Sequence, residues 1–105
     1  MDDLFEKCGE ATFFLKLIAN ENRLAVLCSL HDQQRNVSQL SELVGIPQAA
    51  MSGQLAKLRE AGLVDCTVNH RERLYFIADE RVRDIIGLLH DLFCDQASEA
   101  KRHIA

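Results

Sequence analysis

The sequence predicts a mainly α-helical fold with one β-hairpin, arranged as a winged helix-turn-helix. Two short segments with helical apolar spacing flank Gly45, and Gly62 follows the second of them. Two runs rich in Val, Thr, Tyr, Phe and Ile come next, which is typical of paired strands. Two helices joined by a tight turn and followed by a hairpin define this fold class.

The helix-turn-helix is predicted over residues 38–62. Ser38 is a suitable N-cap, because a Ser side chain accepts a hydrogen bond from a free N–H of the first turn. Gly45 is expected to end this helix in the left-handed conformation, which strains other residues. Pro47 suits the first turn of the second helix, where its missing N–H is not needed. The apolar positions of the first helix are Leu40, Leu43 and Val44.

The hairpin is predicted from strands over residues 63–70 and 74–78. Cys66 alternates with Val64 and Val68 on one side of the first strand, so we expect a buried structural thiol there. The tip of the hairpin, or wing, is polar and basic, and it consists of Asn69, His70, Arg71, Glu72 and Arg73.

Three further helices are predicted around this unit. Residues 4–19 form the first, with an apolar stripe at Leu4, Cys8, Ala11, Leu15 and Ile18. Asn20 caps the second, whose stripe is Leu24, Leu27, Cys28 and His31. Val26 and Leu30 lie on another side, so we expect this helix to be buried over much of its circumference. Asp79 caps the last, which carries Val82, Ile85, Leu88, Leu89, Leu92 and Phe93. The first and last helices have more apolar surface than a small core requires, which predicts a homodimer through these terminal helices; the alternative is that they only complete the core.

Composition and length limit the class of protein. A chain of 105 residues has room for one domain, residues 1–105, and 48% hydrophobic with 27% charged residues is typical of a folded globular protein. No apolar run approaches the ~18 residues of a membrane span, and Asp2 and Asp3 do not fit a secretory signal. Four widely spaced cysteines without a CxxC pair indicate reduced thiols. We therefore expect a cytoplasmic protein with no membrane contact.

The net charge of −4 does not suggest a nucleic-acid partner, but its distribution does. Residues 47–78 carry four basic and three acidic side chains, whereas residues 1–22 carry two basic and five acidic ones. The 47–78 segment includes the second helix of the helix-turn-helix, the element that such folds place in the major groove of duplex DNA. The small positive excess predicts modest DNA affinity per chain, which again favours a dimer.

The candidate DNA-binding residues are Gln48, Ala49, Ser52, Gly53, Gln54 and Lys57 on the second helix, and Asn69, His70, Arg71 and Arg73 on the wing. Gln48 and Gln54 are expected to hydrogen-bond to base edges, with adenine a good match. Ser52 and Lys57 are expected to contact phosphates, and Gly53 permits close approach of the helix backbone. The alternative is that the charges are ordinary solvated side chains of a protein-interaction module that does not bind DNA.

Two cysteines outside this unit are candidates for chemistry. Cys28 lies in the stripe of the second helix, where packing and reactivity are both open. Cys94 lies roughly 160° around the last helix from the centre of its apolar stripe, which falls near Leu89 and Leu92, so packing does not explain it. His90, one turn earlier, is placed to hydrogen-bond to the thiol or to stabilise a thiolate. A His/Cys pair supplies only two metal ligands, so we expect no metal and no cofactor. Cys8, in the apolar stripe of the first helix, is expected to serve packing.

Four segments resemble the ArsR family of bacterial winged-helix repressors: LKLIANENRLAVLCSL (15–30), VSQLSELVGIPQAAMSGQLAKLREAGLV (37–64), RLYFIAD (73–79) and IIGLLHDLFC (85–94). The similarity extends from about Leu15 to Cys94. It implies a homodimeric regulator of double-stranded operator DNA, with the helix from Pro47 in the major groove. An enzyme is not expected, since no nucleophile–base set or phosphate loop is present in the sequence.

Metal-sensing members of that family carry a cysteine pair in the first helix of the helix-turn-helix, or an acid/His set on the last helix. Residues 38–43 contain no thiol, and the last helix has no Asp-x-His pair. Cys28 in VLCSL and Cys94 in LLHDLFC instead resemble the branch that senses reactive sulfur species, the BigR, SqrR and HlyU type. That resemblance implies attack by a low-pKa thiolate on a small sulfur or oxidant species, a disulfide or polysulfide bridge, and DNA release. A metal or arsenic sensor using Cys94, His90 and Cys8 is the alternative.

The second helix of the helix-turn-helix departs from the family pattern. Gln48-Ala49, Gly53 and Gln54 stand where relatives more often have larger polar residues and a His. Pro47 replaces the usual hydroxyl cap.

Overall fold

A computed structural model gives the structure of residues 3–94. These residues form α1 (Asp3–Glu6), α2 (Cys8–Ile18), α3 (Glu21–Leu30), α4 (Val37–Val44), α5 (Gln48–Glu60), β1 (Val64–Asn69), β2 (Glu72–Ile77) and α6 (Glu80–Phe93). The predicted fold class, a winged helix-turn-helix with flanking helices, is confirmed. The single domain predicted for residues 1–105 stays a prediction, because residues 1, 2 and 95–105 lie outside the described residues.

The predicted first helix is divided in two. Lys7 leaves the helical conformation with a ψ of 8°, which separates α1 from α2, and Gly9, a poor helix former, follows it closely. Of the predicted apolar stripe only Ile18 is buried, whereas Cys8 and Leu15 are exposed. The expectation that Cys8 packs is therefore wrong within this chain, because only the C-terminal part of α2 packs against the core.

Asn36, and not the predicted Ser38, is the N-cap of α4. The Asn36 side-chain oxygen accepts the Gln39 N–H at 2.8 Å, and the Gln39 side chain accepts the Asn36 N–H at 2.8 Å, which forms a reciprocal capping box. Ser38 lies in the first turn instead, and its hydroxyl accepts a 2.8 Å hydrogen bond from Nε2 of Gln48. That bond joins the N-terminal ends of the two helices of the helix-turn-helix.

The turn between α4 and α5 has the predicted glycine geometry. Gly45 adopts a left-handed φ of 82° and donates its N–H to the Ser41 carbonyl at 2.8 Å. Pro47 is the N-cap of α5, one position before the first-turn place expected for it, and its φ of −60° suits the extended conformation found there. Gly62, with a φ of 81°, turns the chain from α5 into the hairpin.

The hairpin is tighter than predicted. Asn69 pairs with Glu72, so the turn contains only His70 and Arg71, and His70 has a φ of 63°. The predicted five-residue tip is wrong, since Asn69, Glu72 and Arg73 belong to the strands. A two-residue connection matches the twist of antiparallel strands when a left-handed residue is available, and His70 supplies it here.

The wing, defined here as the β1–β2 hairpin, is tied to the start of α4. Arg35 and Tyr75 exchange backbone hydrogen bonds of 3.2 and 2.8 Å, so residue 35 extends the edge of the sheet by one bridge. The Asn36 side-chain amide donates to the carboxylate of Glu72. The wing and the helix-turn-helix therefore hold one another in place.

The central helix is α3, which contacts α2, α4, α5, α6 and β2. Its buried side is formed by Val26, Leu27 and Leu30, whereas Cys28 is exposed and His31 is half-buried. The predicted stripe through Cys28 and His31 is thus wrong as a core face. The core consists of Ile18, Val26, Leu27, Leu30, Leu40, Met51, Leu55, Leu58, Leu63, Val64, Tyr75, Ile77, Val82 and Ile86.

On α6 the buried residues are Val82 and Ile86, and Leu92 is exposed. The predicted stripe centre near Leu89 and Leu92 is displaced, because among the described residues α6 packs mainly against α3 and β2. In the part of the chain that the structure describes, no helix has the length and apolar character needed to cross a bilayer.

Candidate functional site

A half-open cavity of about 440 Å³ lies between α3 and α6. We call it the sensor cavity; it is lined by Leu24, Cys28, His31, Ile86, Leu89, His90, Phe93 and Cys94. Its wall is almost entirely apolar. The structure therefore brings together the two cysteines that the sequence singled out, although 66 positions separate them in the chain.

Arg83 is one of the residues that hold α6 against α3. Its Nη1 donates to the His31 carbonyl at 3.4 Å and its Nη2 to the Ile77 carbonyl at 3.3 Å, so one guanidinium joins α6 to the end of α3 and to β2. Asp79 starts α6 as predicted, accepting the Arg81 N–H at 2.9 Å. Cys94 ends the helix, and its N–H bonds to the His90 carbonyl at 2.8 Å.

The Cys28 thiol is a weaker acid than an ordinary cysteine. Its side chain is exposed to the cavity, but partial burial among apolar groups raises the pKa of the Cys28 thiol, and negative charge on Cys94 raises that pKa further. The low-pKa thiolate expected for the reaction is therefore not Cys28.

Two histidines share the cavity wall with the thiols. Among the described residues the His90 side chain makes no hydrogen bond to Cys94, so the expected contact is absent from this arrangement. His31, three positions after Cys28 on α3, has a buried Nδ1 without a hydrogen-bond partner among the described residues. The sequence placed His31 on one helix face with Cys28, as the structure does, but assigned that face to the core.

The other two cysteines lie elsewhere. Cys66 is half-buried and packs against the core, in agreement with a structural role, and Cys8 is exposed on α2. Within residues 3–94 no group of three or more His, Cys, Asp or Glu side chains is arranged to hold a metal ion.

Nine of the ten predicted DNA-binding residues are exposed, and Gln54 is half-buried. The exposed ones are Gln48, Ala49, Ser52, Gly53, Lys57, Asn69, His70, Arg71 and Arg73. Two of the ten already have partners within the chain, since Gln48 donates to Ser38 and Gln54 Oε1 accepts from Arg23 Nη1 at 3.2 Å. Arg23 is a residue at this surface that sequence reasoning missed.

A second surface is apolar. Large hydrophobic side chains are exposed on the two helices near the chain ends, at Phe13, Leu15, Leu88, Leu92 and Phe93. The α2 and α6 helices are also linked to each other, because the Arg81 guanidinium lies 4.6 Å above the centre of the Phe14 ring.

Comparison with known proteins agrees with this architecture. A family model described as "Bacterial regulatory protein, arsR family" matches residues 20–65. The transcriptional activator HlyU of Vibrio cholerae is 35% identical over 94 residues, which cover 90% of this chain and 87% of the relative.

Solved structures give the same result. Reduced HlyU from Vibrio cholerae has a TM-score of 0.83 at 35% identity, covering 90% of this chain and all of the other. The transcriptional repressor BigR from Xylella fastidiosa has a TM-score of 0.82 at 29% identity, covering 90% and 96%. The homodimeric winged helix-turn-helix domain of Mb0332 from Mycobacterium bovis has a TM-score of 0.75 at 25% identity, covering 98% and 92%.

Proposed function

We propose that this chain, which belongs to the ArsR family of bacterial regulatory proteins, is a dimeric DNA-binding transcriptional regulator. Its operator affinity depends on a covalent bridge between Cys28 and Cys94. Its relatives are transcriptional activators and repressors. The observation that supports the thiol switch is the shared cavity: both cysteines line one apolar space between α3 and α6. An apolar wall favours small neutral sulfur species over charged ones.

The bridging chemistry needs a two-electron oxidant, and a persulfide or polysulfide is the one that we propose. Because burial and the charge of Cys94 raise the pKa of Cys28, Cys94 attacks first. Its thiolate takes the outer sulfur of a persulfide RS–SH, giving a Cys94 persulfide and RS⁻. The Cys28 thiolate then attacks the Cys94 sulfur atom and releases HS⁻, which leaves a disulfide. If Cys28 also carries a persulfide, the same displacement leaves three sulfur atoms in the bridge.

The bridge acts on DNA binding through α3. This helix contacts α4 and α5, the two helices of the helix-turn-helix, as well as α6. A link from Cys28 to Cys94 therefore constrains the reading unit against α6. In a dimer that pairs through α2 and α6, this constraint changes the spacing of the two reading units, and operator half-sites have a fixed separation. The expected coupling lowers operator affinity by about 5- to 150-fold.

The test begins with operators selected from random duplexes by the reduced protein. Polysulfide treatment is expected to release the wild-type protein and to leave Cys28→Ser and Cys94→Ser bound, as measured by fluorescence anisotropy. Cys8→Ser and Cys66→Ser are the matched controls, and both should release like the wild type. Mass spectrometry of the treated protein counts the sulfur atoms between Cys28 and Cys94.

Three results would contradict parts of this proposal. If polysulfide treatment still releases both Cys28→Ser and Cys94→Ser from operator DNA, the proposed thiol switch is wrong. Metal retained by the purified protein, with DNA release on metal titration and not on polysulfide treatment, indicates a metal or arsenic sensor. No salt-dependent duplex binding by the reduced wild type indicates a protein-interaction module.

A further inference from the structure

Arg23 joins α2 and α3 to α5, the helix that we propose enters the major groove. The residue lies in the first turn of α3, and its Nε and Nη2 donate to the carbonyls of Leu17 and Lys16 at 2.6 and 3.3 Å. Those carbonyls end α2. The remaining terminal nitrogen, Nη1, donates to Oε1 of Gln54 at 3.2 Å. One guanidinium thus connects the end of α2, the start of α3 and the middle of α5.

The chemistry of arginine determines which way the Gln54 amide faces. A guanidinium has five N–H donors, no acceptor, and a positive charge at every working pH. Only the oxygen of the Gln54 amide can face it, so Oε1 is directed inward. Nε2 does not face Arg23, and Gln54 shares a helix face with Ala50 and Lys57, which are both exposed.

We propose that Gln54 contacts the operator only as a hydrogen-bond donor, and that Arg23 is the positioning residue that makes it so. The inference rests on the DNA binding proposed above. A glutamine recognises adenine by presenting its oxygen and its nitrogen together to the base edge. Oε1 can accept two hydrogen bonds, and we infer that its contact with Arg23 turns it away from the base edge. The adenine contact expected from the sequence is therefore replaced by contact with an acceptor atom: O6 or N7 of guanine, O4 of thymine, or a phosphate oxygen.

The experiment compares operator preference and affinity among variants, starting from duplex pools selected by the reduced proteins. Gln54→Met keeps the side-chain length and removes the amide; we expect affinity to fall about three- to tenfold, the effect of one hydrogen bond. At the base position that loses selectivity in this variant, the wild type should prefer guanine or thymine. Arg23→Met frees Oε1 and should add adenine at that position, while Arg23→Lys, which still donates, should retain the wild-type preference.

Control variants separate this effect from charge and folding. Gln33→Met, an exposed glutamine outside α5, should bind like the wild type. Gln54→Glu keeps an acceptor for Arg23 and has no donor, so it should bind more weakly than Gln54→Met; this variant carries the test if Arg23→Met fails to fold. A loss in Gln54→Met that is uniform across sequences supports the proposal with a phosphate oxygen as the acceptor.

Two outcomes would overturn the inference. One is an adenine preference of the wild type at the Gln54-dependent position. The other is a Gln54→Met protein with unchanged affinity and unchanged preference. In both cases salt-dependent binding of the reduced wild type persists, whereas failure of the proposed function itself would abolish it.

Discussion

At Cys28 the surroundings, and not the residue type, set the reactivity of the thiol. The raised pKa has two causes that differ in how they respond to mutation: burial depends on the whole cavity wall, and the electrostatic contribution depends on Cys94 alone. Removing Cys94 should therefore remove one cause and leave the other. The thiolate is the reactive form of a cysteine, so the pH dependence of alkylation measures the pKa directly.

The Cys94→Ser substitution is expected to lower the pKa of Cys28. The pH midpoint of Cys28 alkylation by iodoacetamide, followed on the Cys28 peptide by mass spectrometry, should move to lower pH than in the wild type. It should stay above the midpoint of an ordinary cysteine, since burial is the larger cause. Cys66→Ser is the control and should leave the midpoint in place. An unmoved midpoint in Cys94→Ser would mean that the two thiols do not interact.

At the scale of elements, two glycines have opposite structural roles. Gly45 ends α4 with a φ of 82°, a conformation that other residues adopt only with strain. Gly53 lies in the middle of α5, where an added methyl group would meet no atom within 4 Å. The first glycine is required by the turn between the two helices. The second is not required by packing within the described residues, and close approach of DNA is the role that we propose for it.

The two alanine substitutions should therefore change the free energy of unfolding in opposite directions. Gly45→Ala is expected to lower the free energy of unfolding by about 1–2 kcal/mol, the cost of a left-handed residue with a Cβ. Gly53→Ala is expected to raise it by up to about 1 kcal/mol, because alanine is the better helix former. Urea denaturation at one protein concentration measures both. A stabilised or neutral Gly45→Ala protein would contradict the role given to this turn.

The same Gly53→Ala protein tests the DNA face. If the backbone of α5 approaches the major groove closely, the added methyl group should weaken operator binding while the protein itself becomes more stable. Binding equal to that of the wild type, measured by anisotropy at the same salt concentration, would show that the α5 backbone does not come near the DNA at this position.

For the whole molecule, the question is what covers the exposed apolar side chains of α2 and α6. Phe13 is 65% exposed and Leu92 44% exposed, and both lie on helices that the fold places at its periphery. A second copy of the chain is the partner we propose, because a two-fold operator calls for two reading units. A solved relative described as homodimeric has the same fold.

Charged substitutions on these helices should produce monomers. If this surface pairs with the same surface of a second chain, Phe13→Glu and Leu92→Glu each bury a charge in the interface. Light scattering is then expected to show half the wild-type mass, and operator affinity should fall. Val68→Glu is the matched control for the mass, because Val68 is 67% exposed on the wing and lies outside α2 and α6. Dimers of unchanged stability in both α2 and α6 variants would place the interface elsewhere.

Local sequence patterns predicted the ends of the helices well, because a helix end depends on the residues next to it in the chain. Gly45 and Gly62 have the left-handed geometry expected of residues that end helices, and Asn20 and Asp79 cap the helices they were expected to cap. The wrong assignments are those in which a second side chain determines the structural role of the residue. Asn36 displaced Ser38 as a cap because a side chain at Gln39 completes the capping box.

By itself the sequence determined the order of the main elements and the helix-ending glycines Gly45 and Gly62, since these depend on local backbone preference. The two cysteines of interest followed from the resemblance to the ArsR family. Only the tertiary structure decided which face of α3 and α6 is buried. It also revealed that Cys28 and Cys94 share a cavity, that the pKa of Cys28 is raised, and that Gln54 turns its oxygen to Arg23. These properties depend on which helix packs against which, and on residues far apart in the chain, and spacing along one element cannot encode them.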